Sequence, residues 1–229
     1  MRLSIVIPVY NERDTILKIL DAVDSIEIPD VAKEIIIVDD YSTDGTRTIL
    51  QGLEHRYKIL FQSLNQGKGA ALRRGYEVAT GDYIVNQDAD LEYDPADYAA
   101  LLRPIIRGEA DVVFGSRRMQ QSRVQNVYRR YLWGGIALNA LVNFLAEVKI
   151  SDIFSGSKVF PRSALSRLHI RSRGFEVETE LTIKLLRAGY RVVEIPISYH
   201  ARTIAKGKKI RPSDAIRILR TAIISRWQI

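Results

Sequence analysis

Residues 83–92 read YIVNQDADLE, a short apolar segment that leads directly into acidic residues. The segment predicts a β-strand at 83–86, which is followed by Asp88 and, two positions on, Asp90. Because alternate residues at the end of a strand point the same way, the two carboxylates can converge on one hard cation. The carboxyl ends of strands are also where open α/β sheets bind ligands. The stretch therefore predicts an enzyme that holds a divalent metal and, through it, a phosphorylated substrate.

Apolar strands and amphipathic helices alternate around this stretch, through the first half of the chain. Strands are predicted at 3–9, 34–38, 58–61, 83–86 and 111–115. Helices are predicted between them at 14–25, 46–56, 68–79 and 95–107. Uninterrupted apolar runs, such as 35–38, are typical of a parallel sheet whose two faces are both covered. The alternation predicts an α/β fold with a doubly wound, Rossmann-like, mostly parallel sheet and helices on both faces.

The pattern changes after about residue 116. Helices are predicted at 123–148 and 176–188, a strand at 190–197, and a last helix from residue 212 onwards. Four apolar residues of that last helix share one face: Ile216, Leu219, Ile223 and Trp227. We therefore predict one domain at 1–210, which is extended by an amphipathic helix at 211–229.

The composition limits the class of protein. Of the 229 residues, 46% are hydrophobic and 27% are charged, which is typical of a globular chain. There is no cysteine, which excludes disulfide bonds and thiolate metal sites. No apolar run reaches the roughly 18 residues of a membrane span, and the first strand begins too near Met1 for a signal peptide. The net charge of +7 suits an anionic partner, although an ordinarily basic surface explains it equally well.

Polar segments follow the carboxyl ends of successive predicted strands, at 8–12, 38–46, 65–71 and the Asp88/Asp90 pair. In a doubly wound sheet they gather at one edge, where aspartates can accept hydrogen bonds from ribose hydroxyls or base N–H groups. Each segment is weak evidence alone, because residues 44–46 are also typical of a turn and a helix start. The Gly-Lys-Gly at 67–69 lacks the phosphate-loop pattern, since Gly69 stands where that pattern has Ser or Thr. The coincidence of all the segments at one edge is what favours a nucleotide site.

A longer set of motifs runs through the chain. The motifs lie at 4–12, 38–46, 67–71, 88–91, 115–117, Asp152, 155–156, 194–197, Arg202 and 207–210. Together they resemble those of the family 2 glycosyltransferases of the GT-A fold, and within them the polyprenyl-phosphate (dolichyl-phosphate) sugar synthases. The resemblance covers nearly the whole chain and implies a catalytic domain at 1–210.

The resemblance implies a role for each motif. The nucleotide of a nucleotide-sugar donor would lie against Pro8, Tyr10, Glu12, Asp39, Asp40, Lys68, Asp88 and Ala89. Mg²⁺ or Mn²⁺ would be held on the donor diphosphate by Asp88, Asp90 and Glu92, the last standing where mannosyl synthases often have Gln. Cationic side chains would surround the diphosphate and the acceptor phosphate: Arg117, Arg130, Arg202, Lys208 and Lys209. The catalytic candidates among all of these are Asp90, Arg117 and Arg202.

The chemistry of such a reaction suits these residue types. Negative charge grows on the leaving diphosphate, and a divalent cation and guanidinium groups stabilise that charge. A lipid phosphate has a second pKa of about 6, so near neutral pH it is largely deprotonated and needs no general base. Related enzymes that glycosylate hydroxyls use an acidic side chain of a Glu-Asp motif as the general base. The corresponding position here is Thr179. The stretch favours a phosphate acceptor and leaves Glu178 and Glu180 as weak base candidates.

The resemblance therefore implies an inverting, metal-dependent transfer of a hexose from a nucleoside-diphosphate sugar to a polyprenyl or dolichyl phosphate. GDP-mannose is the preferred donor, and a UDP-hexose competes with it because residues 207–210 depart from the Gly-x-Ser-Lys pattern of mannosyl synthases. The first alternative is a transferase that acts on a hydroxyl acceptor such as a glycan. A nucleotidyltransferase is disfavoured because the N-terminal Gly-x-Gly-Thr-Arg loop is missing, and the intact metal aspartates disfavour a non-catalytic membrane-binding module.

Two helices bear on membrane binding. Residues 132–146 are apolar and follow a cluster of arginines, and the last helix has basic flanks and Trp227. Both can lie in a membrane interface near anionic headgroups, or they can pack on the sheet or on a second subunit. Many polyprenyl-phosphate synthases carry C-terminal spanning helices. We expect this chain to be cytoplasmic and peripheral on the cytoplasmic face of a membrane, or to use a membrane-anchoring partner, and we expect no nucleic-acid partner.

Overall fold

The computed structural model describes residues 1–119, 124–125, 129–202 and 212–228, with the backbone alone at 124–125, 129–132 and 212–213. The strands are β1 (Arg2–Val9), β2 (Ala32–Asp39), β3 (Lys58–Phe61), β4 (Tyr83–Asn86), β5 (Val112–Ser116), β6 (Val124–Gln125), β7 (Lys158–Pro161), β8 (Val192–Pro196) and β9 (Tyr199–His200). The helices are α1 (Ile16–Ser25), α2 (Thr46–Gln51), α3 (Lys68–Val78), α4 (Tyr98–Ile106), α5 (Arg129–Ala146), α6 (Leu165–Leu168), α7 (Val177–Arg187) and α8 (Pro212–Trp227).

A seven-stranded sheet in the order β3-β2-β1-β4-β7-β5-β8 forms the centre of the fold. Neighbouring strands pair in parallel except at β7, which runs antiparallel between β4 and β5. Val9 at the end of β1 pairs with Asp39 at the end of β2, so the loops that follow these strands start side by side. The predicted mostly parallel α/β sheet is confirmed.

Helices cover both faces of the sheet, as the uninterrupted apolar runs predict. In β1, Ile5 and Ile7 pack into one hydrophobic layer and Val6 into the other, as expected for successive residues of a strand. The first layer is completed by α1, α2 and α4, and the second by α3, α5, α7 and α8. Each face of the sheet is therefore buried under helices.

Three elements differ from the sequence prediction. β7 is missed because its few residues begin with Lys158, a charge that reads as a loop and is in fact fully buried in the strand. α2 ends at Gln51 because Gly52 follows, and glycine is a poor residue for a helix interior. α5 begins at Arg129, several residues later than predicted, and the two-residue β6 precedes it.

The C-terminal helix α8 packs against α5 and α7. It buries the stripe Asp214, Ile218, Ala222 and Ser225. The predicted apolar face lies mostly outside this contact, since Ile216 is 72%, Ile223 49% and Trp227 75% exposed. No helix within the described ranges has the length and apolar character needed to cross a membrane.

Candidate active site

All the polar segments predicted to gather at the carboxyl edge of the sheet contact one another there. Asn11 Oδ1, in the first segment, accepts a hydrogen bond of 2.8 Å from the backbone of the second. Asp40 Oδ2, in the second, accepts one of 2.7 Å from the backbone of the third. Lys68, in the third, forms an ion pair with Asp88 in the fourth, with 2.7 Å between Nζ and Oδ1. The fold thus brings polar residues that are far apart in sequence together in one cluster.

The backbone of these loops is strained where it leaves the strands. Asn11, Tyr41 and Leu91 have left-handed conformations, with φ of 53°, 66° and 63°. Asparagine adopts this region readily, whereas for Tyr41 and Leu91 it costs on the order of 1–3 kcal/mol each. Such residues persist where the surroundings fix them, and they occur frequently at ligand sites. The strain at this edge supports its assignment as the functional edge.

Asp40 is buried and is used to hold loops together. Its carboxylate accepts hydrogen bonds from the backbone of Gln66 and Gly67, both at 2.7 Å, and from Gln62 Nε2 at 2.8 Å. Burial raises the pKa of Asp40 in spite of these donors. The resemblance assigns Asp40 to the nucleotide, but in this structure both of its oxygens bind the protein, and its evident role is to fix the loop before α3.

Asp39 lies beside an aromatic surface that the sequence reasoning missed. The Asp39 carboxylate is fully buried, accepts hydrogen bonds from Ser42 N at 3.3 Å, and lies 3.5 Å from Arg47 Nη1. The Arg47 guanidinium is 5.0 Å from the ring centre of Phe61 and 5.6 Å from that of Tyr41. A guanidinium beside a carboxylate, the exposed ring of Tyr41 and the half-buried ring of Phe61 form a surface suited to a planar nucleobase. Arg47 was missed because it follows the motif and reads as a solvated helix residue.

The glycines on either side of Lys68 serve close packing. A Cβ at Gly67, where φ is +94°, would lie 2.5 Å from Arg173 O, and one at Gly69 would lie 2.5 Å from Ser172 O. Ala70 N also donates to Arg173 O at 3.1 Å. The start of α3 therefore packs directly on the backbone that leads to α7. Close packing therefore accounts for both glycines, and no phosphate loop is needed to explain them. Of the three residues, Lys68 is the one whose side chain reaches the site.

The fourth segment forms an acidic cluster. Burial and the neighbouring carboxylates of Asp88 and Glu92 raise the pKa of Asp90 to about 7. The Glu92 backbone N–H donates to Asp90 Oδ1 at 3.1 Å, which fixes the turn. A nearby cation would stabilise the charged form of a carboxylate whose pKa is raised by burial and by neighbouring carboxylates. The cluster therefore attracts positive charge.

The oxygen ligands of this cluster fit Mg²⁺ or Mn²⁺, which prefer carboxylates. The predicted set is not assembled, however, since in the described part of the chain no three acidic or histidine side chains converge as a metal site. Asp88 is paired with Lys68. Glu92 accepts hydrogen bonds from Tyr199 Oη at 2.6 Å and from Arg202 N at 2.8 Å. Metal binding by all three predicted ligands would require Asp88 to leave Lys68 and Glu92 to share its oxygens.

Arg202 joins the first segment to the acidic cluster. Its Nη1 and Nη2 bind the Glu12 carboxylate at 3.1 and 2.5 Å, and its Nε donates to Asp90 O at 3.0 Å. Glu12 also accepts a hydrogen bond from Thr15 Oγ1 at 2.8 Å. Glu12, which the resemblance assigns to the nucleoside, is thus the counter-ion of Arg202. Arg202 lies beside the predicted metal ligands, where it can meet an anionic substrate.

Arg117 follows β5 and binds Asp152 through two side-chain hydrogen bonds, of 2.7 Å from Nε and 2.8 Å from Nη2, and one of 3.0 Å from its backbone. Asp152 is fully buried. Burial alone would raise the pKa of Asp152, but Arg117 and Arg118 hold it below its usual value. The Arg117 guanidinium lies 4.9 Å from the ring centre of Tyr199, the residue that bonds to Glu92. Arg117 is therefore both a structural partner and a neighbour of the acidic cluster.

Comparison with known proteins identifies the family. The model of glycosyl transferase family 2 matches residues 4–168, which is more than half of the chain. The chain belongs to glycosyl transferase family 2. It is 30% identical over 215 residues to the dolichol-phosphate mannosyltransferase of Pyrococcus furiosus, covering 91% of this chain and 59% of that relative. It is 32% identical to the polyprenol monophosphomannose synthase of Mycolicibacterium smegmatis, covering 90% of this chain and 80% of that relative. The chain thus spans less than two thirds of the Pyrococcus relative.

Solved structures confirm the GT-A fold. Glucosyl-3-phosphoglycerate synthase from Mycobacterium tuberculosis in complex with UDP matches with a TM-score of 0.72 at 22% identity, over 99% of this chain and 80% of that chain. The same enzyme with Mn²⁺, UDP and phosphoglyceric acid also matches with a TM-score of 0.72, at 21% identity over 99% of this chain and 79% of that chain. The fold expected from the sequence motifs is therefore correct.

The two weak base candidates of this family 2 chain are engaged in ion pairs. Glu178 is buried between Lys68 and Lys158, with distances of 3.1 and 2.9 Å. Glu180 binds Lys184 at 2.7 Å and accepts hydrogen bonds from backbone N–H groups of residues 171 and 172. Burial would raise the pKa of each, yet the lysines and these donors lower both. Their assignment as base candidates is corrected, because both carboxylates are held inside the protein; Thr179 is also fully buried.

The remaining predicted residues divide into two groups. Pro8 and Tyr10 are half-buried where β1 ends, and Ala89 is buried between the two aspartates. Lys208, Lys209 and the side chain of Arg130 lie outside the described residues. Besides Arg47, sequence reasoning gave no site role to Asp152, Lys158 and Tyr199. Asp152 belongs to the motifs that carry the family resemblance, whereas no local pattern distinguishes Lys158 or Tyr199 from core or surface residues.

Proposed function

We propose that the chain is a metal-dependent, inverting transferase that moves a hexose from a nucleoside-diphosphate sugar to a polyprenyl or dolichyl phosphate. The observation that carries the proposal is the acidic cluster of Asp88 and Asp90 at the same sheet edge as the cations Lys68, Arg117 and Arg202. The names of the Pyrococcus and Mycolicibacterium relatives support a polyprenyl phosphate acceptor and mannose as the sugar.

The reaction suits these groups. An acceptor phosphate oxygen forms a bond to C1 of the sugar while the bond from C1 to the diphosphate oxygen breaks, so C1 is inverted and negative charge passes to the diphosphate. A divalent ion held by Asp88 and Asp90 would supply a Lewis acid for that charge. Lys68, Arg117 and Arg202 are each oriented by a carboxylate, which limits the reorganisation needed when anionic groups arrive.

A phosphate acceptor is supported by the state of α7. A hydroxyl acceptor needs a base, and the candidates that the sequence motif offers on α7, Glu178 and Glu180, are held in buried ion pairs. A phosphate oxygen is already ionised near neutral pH, because its second pKa is about 6. Product formation with a short-chain prenyl phosphate, compared with free sugars, tests the choice. Transfer only to hydroxyl acceptors would contradict the proposal.

We propose GDP-mannose as the donor, with a UDP-hexose as the second candidate, which the UDP complexes of the solved neighbour favour. Thermal shifts with GDP, UDP, CDP and dTDP in the presence of Mn²⁺ identify the base. The surface of Asp39 and Arg47 is the expected base site, so Arg47→Met should reduce the shift given by the preferred nucleotide. Lys18→Met, which changes an exposed lysine of α1, is the matched control and should leave it unchanged.

We also propose that the protein binds a membrane peripherally, on its cytoplasmic face, or uses a membrane-anchoring partner. The adjacent helices α5 and α8 both expose large apolar side chains: Trp133, Ile136, Leu141, Phe144, Ile216, Ile223, Ile224 and Trp227. Exposed arginines on α8, Arg217 and Arg220, suit anionic headgroups. Aromatic residues beside cations are typical of helices that lie in a membrane interface.

Sedimentation with vesicles tests the membrane proposal. Binding to vesicles that contain anionic lipid should be strong at low salt and should weaken at high salt. Phe144→Ser with Trp227→Ser should reduce the bound fraction, whereas the control Leu64→Ser, another exposed apolar residue, should not. Equal binding by both variants would contradict a role for these helices.

A further inference from the structure

A buried chain of alternating charges lies behind the site. Lys68 Nζ is 2.7 Å from Asp88 Oδ1 and 3.1 Å from Glu178 Oε1, and Glu178 Oε2 is 2.9 Å from Lys158 Nζ. The Lys68 side chain is 12% exposed, that of Glu178 3%, and that of Lys158 is fully buried. Two cations and two anions balance, and burial makes each of them costly to leave without a partner.

The inner end of this chain is fixed and the outer end is open. Lys158 begins β7, and its ammonium also donates to Ile153 O at 3.1 Å and to Ser155 O. These bonds hold Glu178 from behind. Asp88, at the outer end, is half-buried at the sheet edge. A charge entering the site would therefore meet Asp88 first, and the pair of Glu178 and Lys158 would stay in place.

Gly156 leaves room for this arrangement. A Cβ at Gly156 would lie 3.0 Å from Asp88 Oδ2 and 3.2 Å from Lys68 Nζ. Any larger residue would press on both partners of the outer ion pair. The backbone at Gly156 therefore packs directly against the ion pair of Lys68 and Asp88. Glu178 contacts Lys68 on its other side.

The ammonium of Lys68 and a divalent ion would compete for the same Asp88 oxygens. If Asp88 turned to a metal with Lys68 otherwise unpaired, a nearly buried ammonium would lose its partner. We propose that Glu178, held by Lys158, is a positioning residue that retains Lys68 at the site while Asp88 exchanges the ammonium for a divalent cation. After the exchange Lys68 would stay charged and paired with Glu178, and it could also contact a diphosphate. This inference rests on the proposed metal-dependent function.

Mn²⁺ binding, followed by the loss of the free-ion electron paramagnetic resonance signal, tests the inference without turnover. In Glu178→Gln, Lys68 keeps Asp88 as its carboxylate partner and loses Glu178. Lys68 should then compete more strongly with Mn²⁺ for Asp88, so Mn²⁺ should bind about tenfold more weakly. GDP and UDP in the presence of Mn²⁺ should weaken in parallel. Glu180→Gln is the matched control, since Glu180 lies on the same helix, is equally buried and pairs with Lys184. It should leave Mn²⁺ affinity unchanged.

A double-mutant cycle separates positioning from simple loss of negative charge. Lys68→Met should strengthen Mn²⁺ binding, because the competing ammonium is gone. In that background Glu178→Gln should have little further effect if Glu178 acts through Lys68. An equal loss with and without Lys68 would overturn the inference, since it would indicate a through-space effect of charge.

A second variant guards against misfolding. Glu178→Gln leaves the buried Lys158 without its carboxylate, whereas Glu178→Met combined with Lys158→Met removes both charges and is better tolerated in a buried site. This pair should show the same loss of Mn²⁺ affinity as Glu178→Gln, and normal affinity in a folded protein would overturn the inference. If the unmodified protein bound neither Mn²⁺ nor nucleoside diphosphate, the proposed function itself would fail, and this inference with it. Normal binding with no response to Glu178 would overturn this inference alone.

Discussion

The pair of Arg117 and Asp152 makes a prediction that separates stability from catalysis. Arg117→Ala removes a guanidinium that makes two hydrogen bonds to a fully buried carboxylate. Breaking a buried pair in this way costs about 3–5 kcal/mol, because the remaining charge is left without its partner. Arg117 keeps 21% of its side chain exposed and Arg118 lies nearby, so we expect a loss of unfolding free energy near the lower limit, about 3 kcal/mol.

The loss is measured by urea unfolding followed by circular dichroism, and by the melting temperature. For a domain of this size about 3 kcal/mol corresponds to a decrease of roughly 6–12 °C. We therefore expect Arg117→Ala to be destabilised but still folded. Turnover should also decrease strongly, because Arg117 lies beside the acidic cluster.

A paired variant distinguishes the two roles. Arg117→Met with Asp152→Leu removes both charges, so most of the stability should return. Turnover should stay low, because no cation occupies this position beside Tyr199. An unfolding free energy of Arg117→Ala within about 0.5 kcal/mol of the original protein would refute the structural role. Full turnover of the paired variant would remove Arg117 from the site.

Further predictions follow from other contacts. Folding lowers the pKa of Asp152, so its carboxylate stabilises the folded protein above the unfolded pKa, and this contribution is lost as the pH falls. Asp152→Asn should therefore lose less unfolding free energy than the original protein between about pH 5 and 3. An unchanged dependence of the unfolding free energy on pH would count against this role. Gly67→Ala should destabilise the protein by more than Gly108→Ala, since both have positive φ but an added Cβ meets Arg173 O at 2.5 Å only at Gly67; equal melting temperatures would contradict the packing role. Arg202→Lys keeps the charge but not the two-point contact with Glu12, so turnover should decrease about tenfold in a folded protein, and full activity would be evidence against the contact.

Much of the fold could be predicted from the sequence, because parallel strands covered on both faces leave continuous apolar runs. Residues 35–38 and 83–86 lie within β2 and β4 as expected. β7 could not be predicted, since its insertion between β4 and β5 is a long-range pairing and its first residue is the buried Lys158. The charge of Lys158 is compensated by Glu178, twenty residues away.

The site is predictable in part for a similar reason. The spacing of Asp88 and Asp90 after a strand places both at the sheet edge, which is local information. The partners of the charged residues are not local, since Arg202 pairs with Glu12, 190 residues earlier in the chain. Sequence motifs therefore indicate which residues reach the edge, and packing decides which carboxylates are already occupied there.

The most direct test of the account is transfer of labelled sugar from GDP-mannose or a UDP-hexose to a short-chain polyprenyl phosphate, measured with Mn²⁺ and with a chelator. The account predicts that Mn²⁺ supports product formation, that chelation abolishes it, and that Asp90→Asn abolishes it in a folded protein. Asp94→Asn, an acidic residue of the same loop that caps the turn before α4, should remain active. Sugar transfer that is unaffected by chelation and by Asp90→Asn would contradict the central claim.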